Sequence, residues 1–549
     1  MSNHNGTSAS SDRVDVVIIG AGPAGSIAAH ELSRQGLSVI GLEQGFNPDT
    51  SKYPRDNPEW ELIAQKAFNS DPNIRDNPQD YPINNSESDI HPLMYAGVGG
   101  STVIYNAQWA PLLPSDYRLR TLDGVADDWP ISYEDVEPYL EEVEKLVGVS
   151  GVRGNPAYPP RKDFPMPPIP LGEATKKAIE GFDKLGWHWW PAAFGIASVP
   201  YNELKPCVRR GTCHSGCSEG AKSTADINLW PESIKRGAKL ITGARVSEIE
   251  VDEHGRASGV VYIDRTGKTK RLKAKTVVVA ANSIGTARLL LLSKSGRFPN
   301  GLANSSGLVG KRLMLHPYSG IIGSFEDNLQ SWRGPFGNVL ESYQFYETDQ
   351  SRGFARGARW SIVPSGGPLS VSSVFGSKVF EIDDFDASWG KALHQTVERR
   401  LGRTLIVGIL GEDLPLESNR VELDDTLTDS DGIPAPKIIY RIDENSRALL
   451  RYHEERAVEY LKAAGAVEIQ VASQLKHAGW HILGTARMGD DPETSVVNQW
   501  GQSHDVPNLF LVGASTFVTS AGVNPTATLS ALALRTARHI AEQRRNLEV

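Results

Sequence analysis

The stretch Val14–Gly45, VDVVIIGAGPAGSIAAHELSRQGLSVIGLEQG, constrains this chain more than any other. Val16 to Ile19 is an apolar run of strand composition. Gly20, Gly22 and Gly25 follow at once in GxGxxG spacing, with Pro23 and Ala24 between the last two. An Ala-rich helical segment, Ser26 to Arg34, comes next and Gly36 ends it. A second apolar strand, Ser38 to Leu42, closes the unit on Glu43. Each residue type has a physical task. Gly20 permits the tight turn out of the strand, Gly22 lets backbone approach a pyrophosphate, and Gly25 lets helix and strand pack closely. The helix N-terminus turns unpaired N–H groups and a positive dipole end to the phosphates. Glu43 lies about 20 residues past the fingerprint, where a carboxylate accepts from ribose hydroxyls and disfavours a 2′-phosphate. The unit reads as a dinucleotide site. The competing reading is a Gly-rich βα turn with no ligand, and the fingerprint leaves FAD and NAD equally open.

Composition narrows the class. A length of 549 residues suits about two to four domain-sized units. A net charge of −9 without any Lys/Arg-rich run argues against a nucleic-acid partner. The longest apolar runs fall far short of the ~20 residues that span a bilayer, so no membrane span is expected. The first thirteen residues are polar, with no apolar signal core. A cytoplasmic protein is the expectation, and export beside a signal-bearing partner the alternative.

Residues 46–98 are rich in Pro, Asp and Asn and read as a long irregular connection with one short helix near Trp60–Phe68. So long a connection suits a cofactor cover. In GVGGSTVIYNAQW, Gly99, Gly100, Ser101 and Thr102 offer backbone and hydroxyl donors at close range; a plain turn is the alternative. Ser132 to Asp135 has capping-box form and opens a helix to about Leu146. Asn155–Pro170 is Pro-rich and extended, and a helix near Gly172–Leu185 follows. The tryptophans of Trp187-His188-Trp189-Trp190 suit packing better than a substrate wall. Lys239–Ala280 reads as strands joined by tight turns, and Ile284–Ser293 as a helix. From about Ser319 to Gln470 short alternating segments dominate, with a helix near Glu444–Ala464. A final helix covers Pro525–Arg544.

Two late stretches carry chemistry-bearing residues: Gly479–Gly489, with His481 before a Gly-Thr turn, and Val512–Thr526, with Asn524-Pro525 opening the last helix. Taken alone, His481 suits a satisfied core histidine and Asn524 a helix N-cap.

The chain resembles the glucose-methanol-choline (GMC) flavoprotein oxidoreductases. The likeness rests on motifs in order along nearly the whole chain. They are the fingerprint with Glu43, GGST at Gly99–Thr102, ANSIGTARLLLLS at Ala281–Ser293, and GLVGKRLMLHP at Gly307–Pro317. HxxGTxRMG at His481–Gly489 and Asn524-Pro525-Thr526 complete the set. The resemblance implies an α/β fold: a discontinuous Rossmann-like FAD-binding domain plus a substrate domain with a mainly antiparallel sheet backed by helices. It implies FAD, bound by Gly20, Gly22, Pro23, Ala24, Gly25, Glu43, Gly99, Gly100, Ser101, Thr102 and Asn106. Val246 falls where the family's backbone contacts adenine. Gly513, Ala514, Asn524, Pro525 and Thr526 complete the cofactor set. Gly513 departs from the family, where many members carry an acidic residue. His481 falls on the active-site histidine and Asn524 on its partner position.

The implied chemistry is oxidation of an alcohol of a sugar, glycoside or other hydroxylated small molecule. A proton leaves oxygen for His481 and a hydride leaves carbon for flavin N5. Asn524 would hold the substrate oxygen, and the last helix would stabilise the reduced ring. A GMC-fold lyase with non-redox FAD is the alternative. The only cysteines, Cys207, Cys213 and Cys217, fall in one eleven-residue window. Their spacing matches the family's iron–sulfur branch, bacterial sugar and polyol dehydrogenases with a three-iron four-sulfur (3Fe–4S) cluster, one thiolate per iron. The other reading is packed free thiols. With a cluster the electron acceptor is a redox protein or quinone; without one, oxygen stays open. The expected units are residues 12–150 (first FAD part with its covering loop), 151–225 (Pro-rich crossing and cysteine loop) and 226–318 (second FAD part). Residues 319–474 form the substrate sheet domain, and 475–549 the third FAD part with His481 and Asn524.

Overall fold

The computed structural model describes residues 13–54, 59–64, 66–75, 81–335, 339–372 and 389–547. Parts of the expected covering connection (55–58, 65, 76–80) and of the substrate domain (336–338, 373–388) lie outside the described residues, as do 1–12 and 548–549.

The apolar run of the fingerprint forms the strand Val14–Ile19. It lies between Val39–Glu43 and Thr269–Val279, parallel to both. Lys239–Thr242 extends this sheet beyond Val39–Glu43, and Leu509–Leu511 beyond Thr269–Val279, again in parallel. Parallel strands are covered on both faces, so they read as continuous apolar runs. Val16, Val17, Ile18, Val277, Val278 and Val279 are accordingly buried. Thr269–Val279 is long enough to serve two purposes. Its first half pairs antiparallel with Ala257–Ile263, which in turn pairs with Arg245–Val251. Its second half enters the parallel sheet.

The helix Pro23–Arg34 follows the glycine turn, with Pro23 in its first turn. It packs on the last helix, Thr526–Leu547, and on Leu229–Lys235. Its approach to the sheet requires glycine at position 25: a Cβ there would lie 2.1 Å from the Gly20 carbonyl oxygen. Ser132 caps Tyr133–Val147, with Asp135 returning a bond to the Ser132 N–H. That helix also packs on Thr526–Leu547.

A second sheet is antiparallel throughout, in the order Glu468–Ala472, Tyr318–Ser324, Thr404–Gly411, Ala358–Pro364, Leu340–Ser342, Trp190–Pro191. The helices Glu444–Ala464 and Glu173–Leu185 back it through one apolar cluster, and Trp187 packs edge-on against Phe345 and Trp360. Thus the Trp-rich stretch serves packing. A small third sheet pairs Arg420–Thr428 with Pro434–Tyr440, and the latter with Asn84–Ser88. The Pro-, Asp- and Asn-rich composition of 46–98 predicts irregular connection at 84–88, where the structure has a strand. Asn-Asn-Ser-Glu-Ser has little strand preference; it is extended because a partner strand accepts it and Asn84 Nδ2 donates to Asp424 at 2.5 Å. No described helix is long and apolar enough to cross a membrane.

Gly25→Ala should overpack the helix–strand contact and cost about 1–3 kcal/mol. Urea denaturation of the variant checks this, and an unchanged midpoint would refute the close contact.

Candidate active site

The parallel strands end at one edge of their sheet, and their C-terminal residues border a cavity of ≈1000 Å³. The opposite wall is the antiparallel sheet, through Tyr318, Ser319, Gly320, Ser361 and Gly408. This is where doubly wound sheets take their ligands, because successive βα turns diverge there.

The sequence-predicted residues distribute clearly. Gly20, Gly22, Pro23, Ala24 and Glu43 line the cavity from the fingerprint side, and Gly100, Ser101, Thr102 and Asn106 from the GGST segment. Val246 borders it from the hairpin sheet. Gly513, Ala514, Asn524, Pro525, Thr526 and His481 border it from the chain's last segment. Gly25 and Gly99 stand behind the lining, where Gly99 N–H donates to the Ala21 carbonyl at 3.0 Å. Glu43 is committed more locally than its position suggests. Its Oε2 accepts from Ala21 N–H and its Oε1 from Gly45 N–H, each at 2.9 Å. Burial raises its pKa, and these two donors work against that. Each oxygen keeps a second lone pair for a ribose hydroxyl.

The cavity fits a dinucleotide on its own evidence. Gly22 and Gly100 face each other so closely that a Cβ on Gly100 (φ +53°) would sit 2.8 Å from Gly22 Cα, leaving bare backbone toward the space. Asn106 Oδ1 and Tyr81 Oη are buried, belong to lining residues, and find no hydrogen-bond partner among the described residues. Such groups ordinarily have a partner, which a bound polar ligand would supply.

His481 and Asn524 meet inside this cavity: Asn524 Nδ2 lies 3.0 Å from His481 Nε2. His481 Nδ1 lies 2.9 Å from His316 Nδ1 and 3.1 Å from Tyr318 Oη. His316 Nε2 lies 3.2 Å from the Ser520 carbonyl oxygen. A carbonyl only accepts, so His316 carries its proton on Nε2 and offers Nδ1 as acceptor. His481 therefore donates from Nδ1 and leaves Nε2 bare. The other end of the chain enforces the same result. Arg359 donates through Nη1 to Asn524 Oδ1, and a guanidinium never accepts, so the amide N–H₂ must face His481. Two fixed ends thus select one tautomer.

Arg359 is itself held by a buried carboxylate, Glu341, with Nη2–Oε2 at 2.8 Å. It also donates to Gln108 Oε1 at 3.2 Å. Burial pulls the His481 pKa well below the ordinary histidine value, and His316 and Arg359 add to this. Burial brings His316 down to about 4. Both rings are neutral at pH 7. Burial raises Tyr318, which stays a hydroxyl.

Sequence reasoning missed His316, Tyr318, Arg359 and Glu341. His316 stood at the end of a quoted motif without a role. Arg359 gave one usable signal, a charge near the start of a largely apolar strand, Ala358–Pro364.

The three cysteines lie outside the cavity lining, half-buried against Tyr105, Phe194 and Ile196, and no disulfide joins them. Cys207 Sγ accepts from Arg209 N–H at 3.4 Å and Cys217 Sγ from Ala221 N–H at 3.3 Å. Burial, with Cys213 nearby, pushes the Cys207 thiol up to about 12. Buried Lys222 donates to the carbonyls of Val103 and Tyr105, each at 2.9 Å, and of Cys213 at 2.5 Å. Burial lowers its pKa to about 8. This lysine bolts the cysteine loop to the cavity wall, and His214 of that loop reaches the cavity itself.

A divided parallel sheet with a nucleotide fingerprint, facing an antiparallel sheet across a His–Asn pair, defines a flavoprotein oxidoreductase architecture. The family model described as GMC oxidoreductase matches residues 14–318 with its N-terminal part and 415–533 with its C-terminal part. The chain belongs to the GMC oxidoreductase family, and is an FAD-dependent enzyme acting on alcohol groups. It is 39% identical over 540 residues to 2-methyl-1,2-propanediol dehydrogenase of Mycolicibacterium austroafricanum, covering 97% of this chain and 96% of that one. It is 32% identical over 543 residues to the fructose dehydrogenase large subunit of Gluconobacter japonicus, covering 95% and 97%. Among solved structures, pyridoxine 4-oxidase from Mesorbium loti superposes with a TM-score of 0.64 at 16% identity, covering 96% and 99%, a likeness of fold alone.

Because His481 is held neutral, the acid limb of kcat/KM should lie below pH 6.5, the ordinary histidine value, with a flat profile above it to neutrality. Anaerobic flavin reduction followed against pH checks this. Arg359→Met should strand Glu341 and cost about 3–5 kcal/mol of stability, measured by urea denaturation.

Proposed function

We propose that His481 is the general base of this alcohol oxidation and that Asn524 binds the substrate oxygen. The observation that carries the reading is the bare Nε2 of His481, facing the cavity beside an amide donor. An incoming hydroxyl takes the place of Asn524 at Nε2 and gives its proton there. Asn524 then donates from Nδ2 to the oxygen that has lost the proton. Its amide cannot turn over, because Arg359 holds Oδ1. His316 Nδ1 and Tyr318 Oη accept from His481 Nδ1–H and support the imidazolium that forms. FAD, when bound, supplies the two-electron acceptor for the hydride leaving carbon. Of the cofactor residues inferred from the sequence, Gly20, Gly22, Pro23, Ala24, Glu43, Gly100, Ser101, Thr102, Asn106, Val246, Gly513, Ala514, Asn524, Pro525 and Thr526 line the cavity and would hold it.

The substrate is a small, neutral, hydroxylated molecule, a diol, polyol or sugar. The cavity lining supports this: Tyr318, Ser361 and Gln108 carry hydroxyl and amide groups without charge. The relatives named for a propanediol and for fructose point the same way.

We also propose that Cys207, Cys213 and Cys217 hold a 3Fe–4S cluster. Three thiols packed on one apolar cluster support this, as do backbone N–H donors to two of the sulfurs, the kind of bond that tunes such clusters. The acceptor is then an external one-electron carrier rather than oxygen.

His481→Ala should lower the rate of anaerobic flavin reduction by an alcohol about 10²–10⁴-fold while the yellow chromophore stays bound. Flavin that fails to bleach with any alcohol in the wild-type protein would overturn the oxidation chemistry; an unchanged rate in the variant would overturn the base assignment. Iron and acid-labile sulfide analysis should find about three irons per flavin, and an iron-free yellow protein would remove the cluster.

A further inference from the structure

We propose that Asp71, His91 and His477 form a divalent-cation site that staples the cofactor-covering segment to the segment leading into His481. One carboxylate oxygen and two imidazole nitrogens from these residues all lie within 4.8 Å of one another. A tetrahedral zinc ion with bonds of about 2.0–2.1 Å needs its ligands roughly 3.3 Å apart. No pair is farther apart than 4.8 Å, so the donors stand within about 1.5 Å of that spacing. Two imidazoles and one carboxylate are the donor set of borderline metals such as zinc, cobalt or nickel, and not of calcium or magnesium, which prefer oxygen.

The backbone around the three residues is already fixed. His91 N–H donates to the Lys476 carbonyl at 2.7 Å, Leu93 N–H to Gly479 at 2.9 Å, and Gly479 N–H back to His91 at 3.2 Å. This pairing sets the two imidazoles edge to face, with centroids 4.8 Å apart and planes at 87°. A Cβ on Gly479 would fall 2.5 Å from the His91 carbonyl oxygen, so the two segments approach backbone to backbone. Asp71 is placed by its own turn: Oδ1 accepts from Asn73 N–H at 2.9 Å, and Met94 N–H donates to the adjacent Ser70 carbonyl at 2.8 Å. A second bond on the ligating carboxylate orients it, as outer partners do in metal centres.

The location gives the cation a purpose. Asp71 belongs to the covering segment, and His477 stands four residues before His481. Both line the cavity. An ion bridging them ties the cover over the cofactor to the segment that carries the base.

The test uses untagged holoenzyme, treated with a chelator and titrated with Zn²⁺ by calorimetry. The three cysteines are a rival zinc site, so the titration is repeated in Cys213→Ser. One equivalent of zinc should bind in both proteins. His91→Gln, His477→Gln and Asp71→Asn should each weaken that binding by about ten-fold or more. Zinc should also slow release of the flavin in urea, and this effect should vanish in His91→Gln. Binding that disappears in Cys213→Ser and persists in His91→Gln would overturn the site, as would no binding at all. Zinc that binds at these residues without slowing flavin release would overturn the staple.

Discussion

The hydrogen-bond chain from the Ser520 carbonyl through His316, His481 and Asn524 to Arg359 is the constraint on which the site depends. Each member has one chemically permitted role. The carbonyl accepts, the guanidinium donates, and the three groups between them have no choice of direction. The result is a histidine with a bare nitrogen pointing at the cavity. Glu341 matters because it holds the end of that chain. A buried guanidinium without a carboxylate would be costly, and with one it becomes a rigid post for the Asn524 amide.

That chain also explains why the fold needs two sheets. His316 precedes one strand of the antiparallel sheet, Tyr318–Ser324, and Arg359 lies on another, Ala358–Pro364. His481, Ser520 and Asn524 come from the segment that returns to the parallel sheet. His481 is therefore positioned by residues of the antiparallel sheet and of the chain's last segment together. Burial then does the electrostatic work. It strips His316 and His481 of solvent, disfavours their charged forms and keeps them available as neutral groups at pH 7.

Much of the fold was legible because its elements announce themselves locally. The fingerprint turn, the Ser132 capping box, the hairpin turns near Glu253 and Arg265 and the final helix each rest on neighbouring residues. Asn84–Ser88 was not legible, since its extended form comes from pairing with Pro434–Tyr440, about 350 residues away. Nor was the destination of Arg420–Thr428, which alternates like a strand of the substrate sheet but joins a separate one. Periodicity tells that a segment is a strand, not which partner it meets.

The sequence by itself determined a nucleotide-binding fingerprint at Val14–Gly45 and, through motifs spread along the chain, a likeness to flavoproteins that oxidise alcohols. Glycine spacing, a terminal acid and a helix start are local properties, and local properties are written in order along the chain. Only the tertiary structure decided how His481 keeps Nε2 free of a proton. Its partners come from positions 316, 318 and 524, with Ser520 behind His316 and the Arg359–Glu341 pair behind Asn524. A hydrogen bond between distant residues has no signature in spacing. The direction of each bond follows only once the acceptor that cannot donate and the donor that cannot accept stand at the two ends.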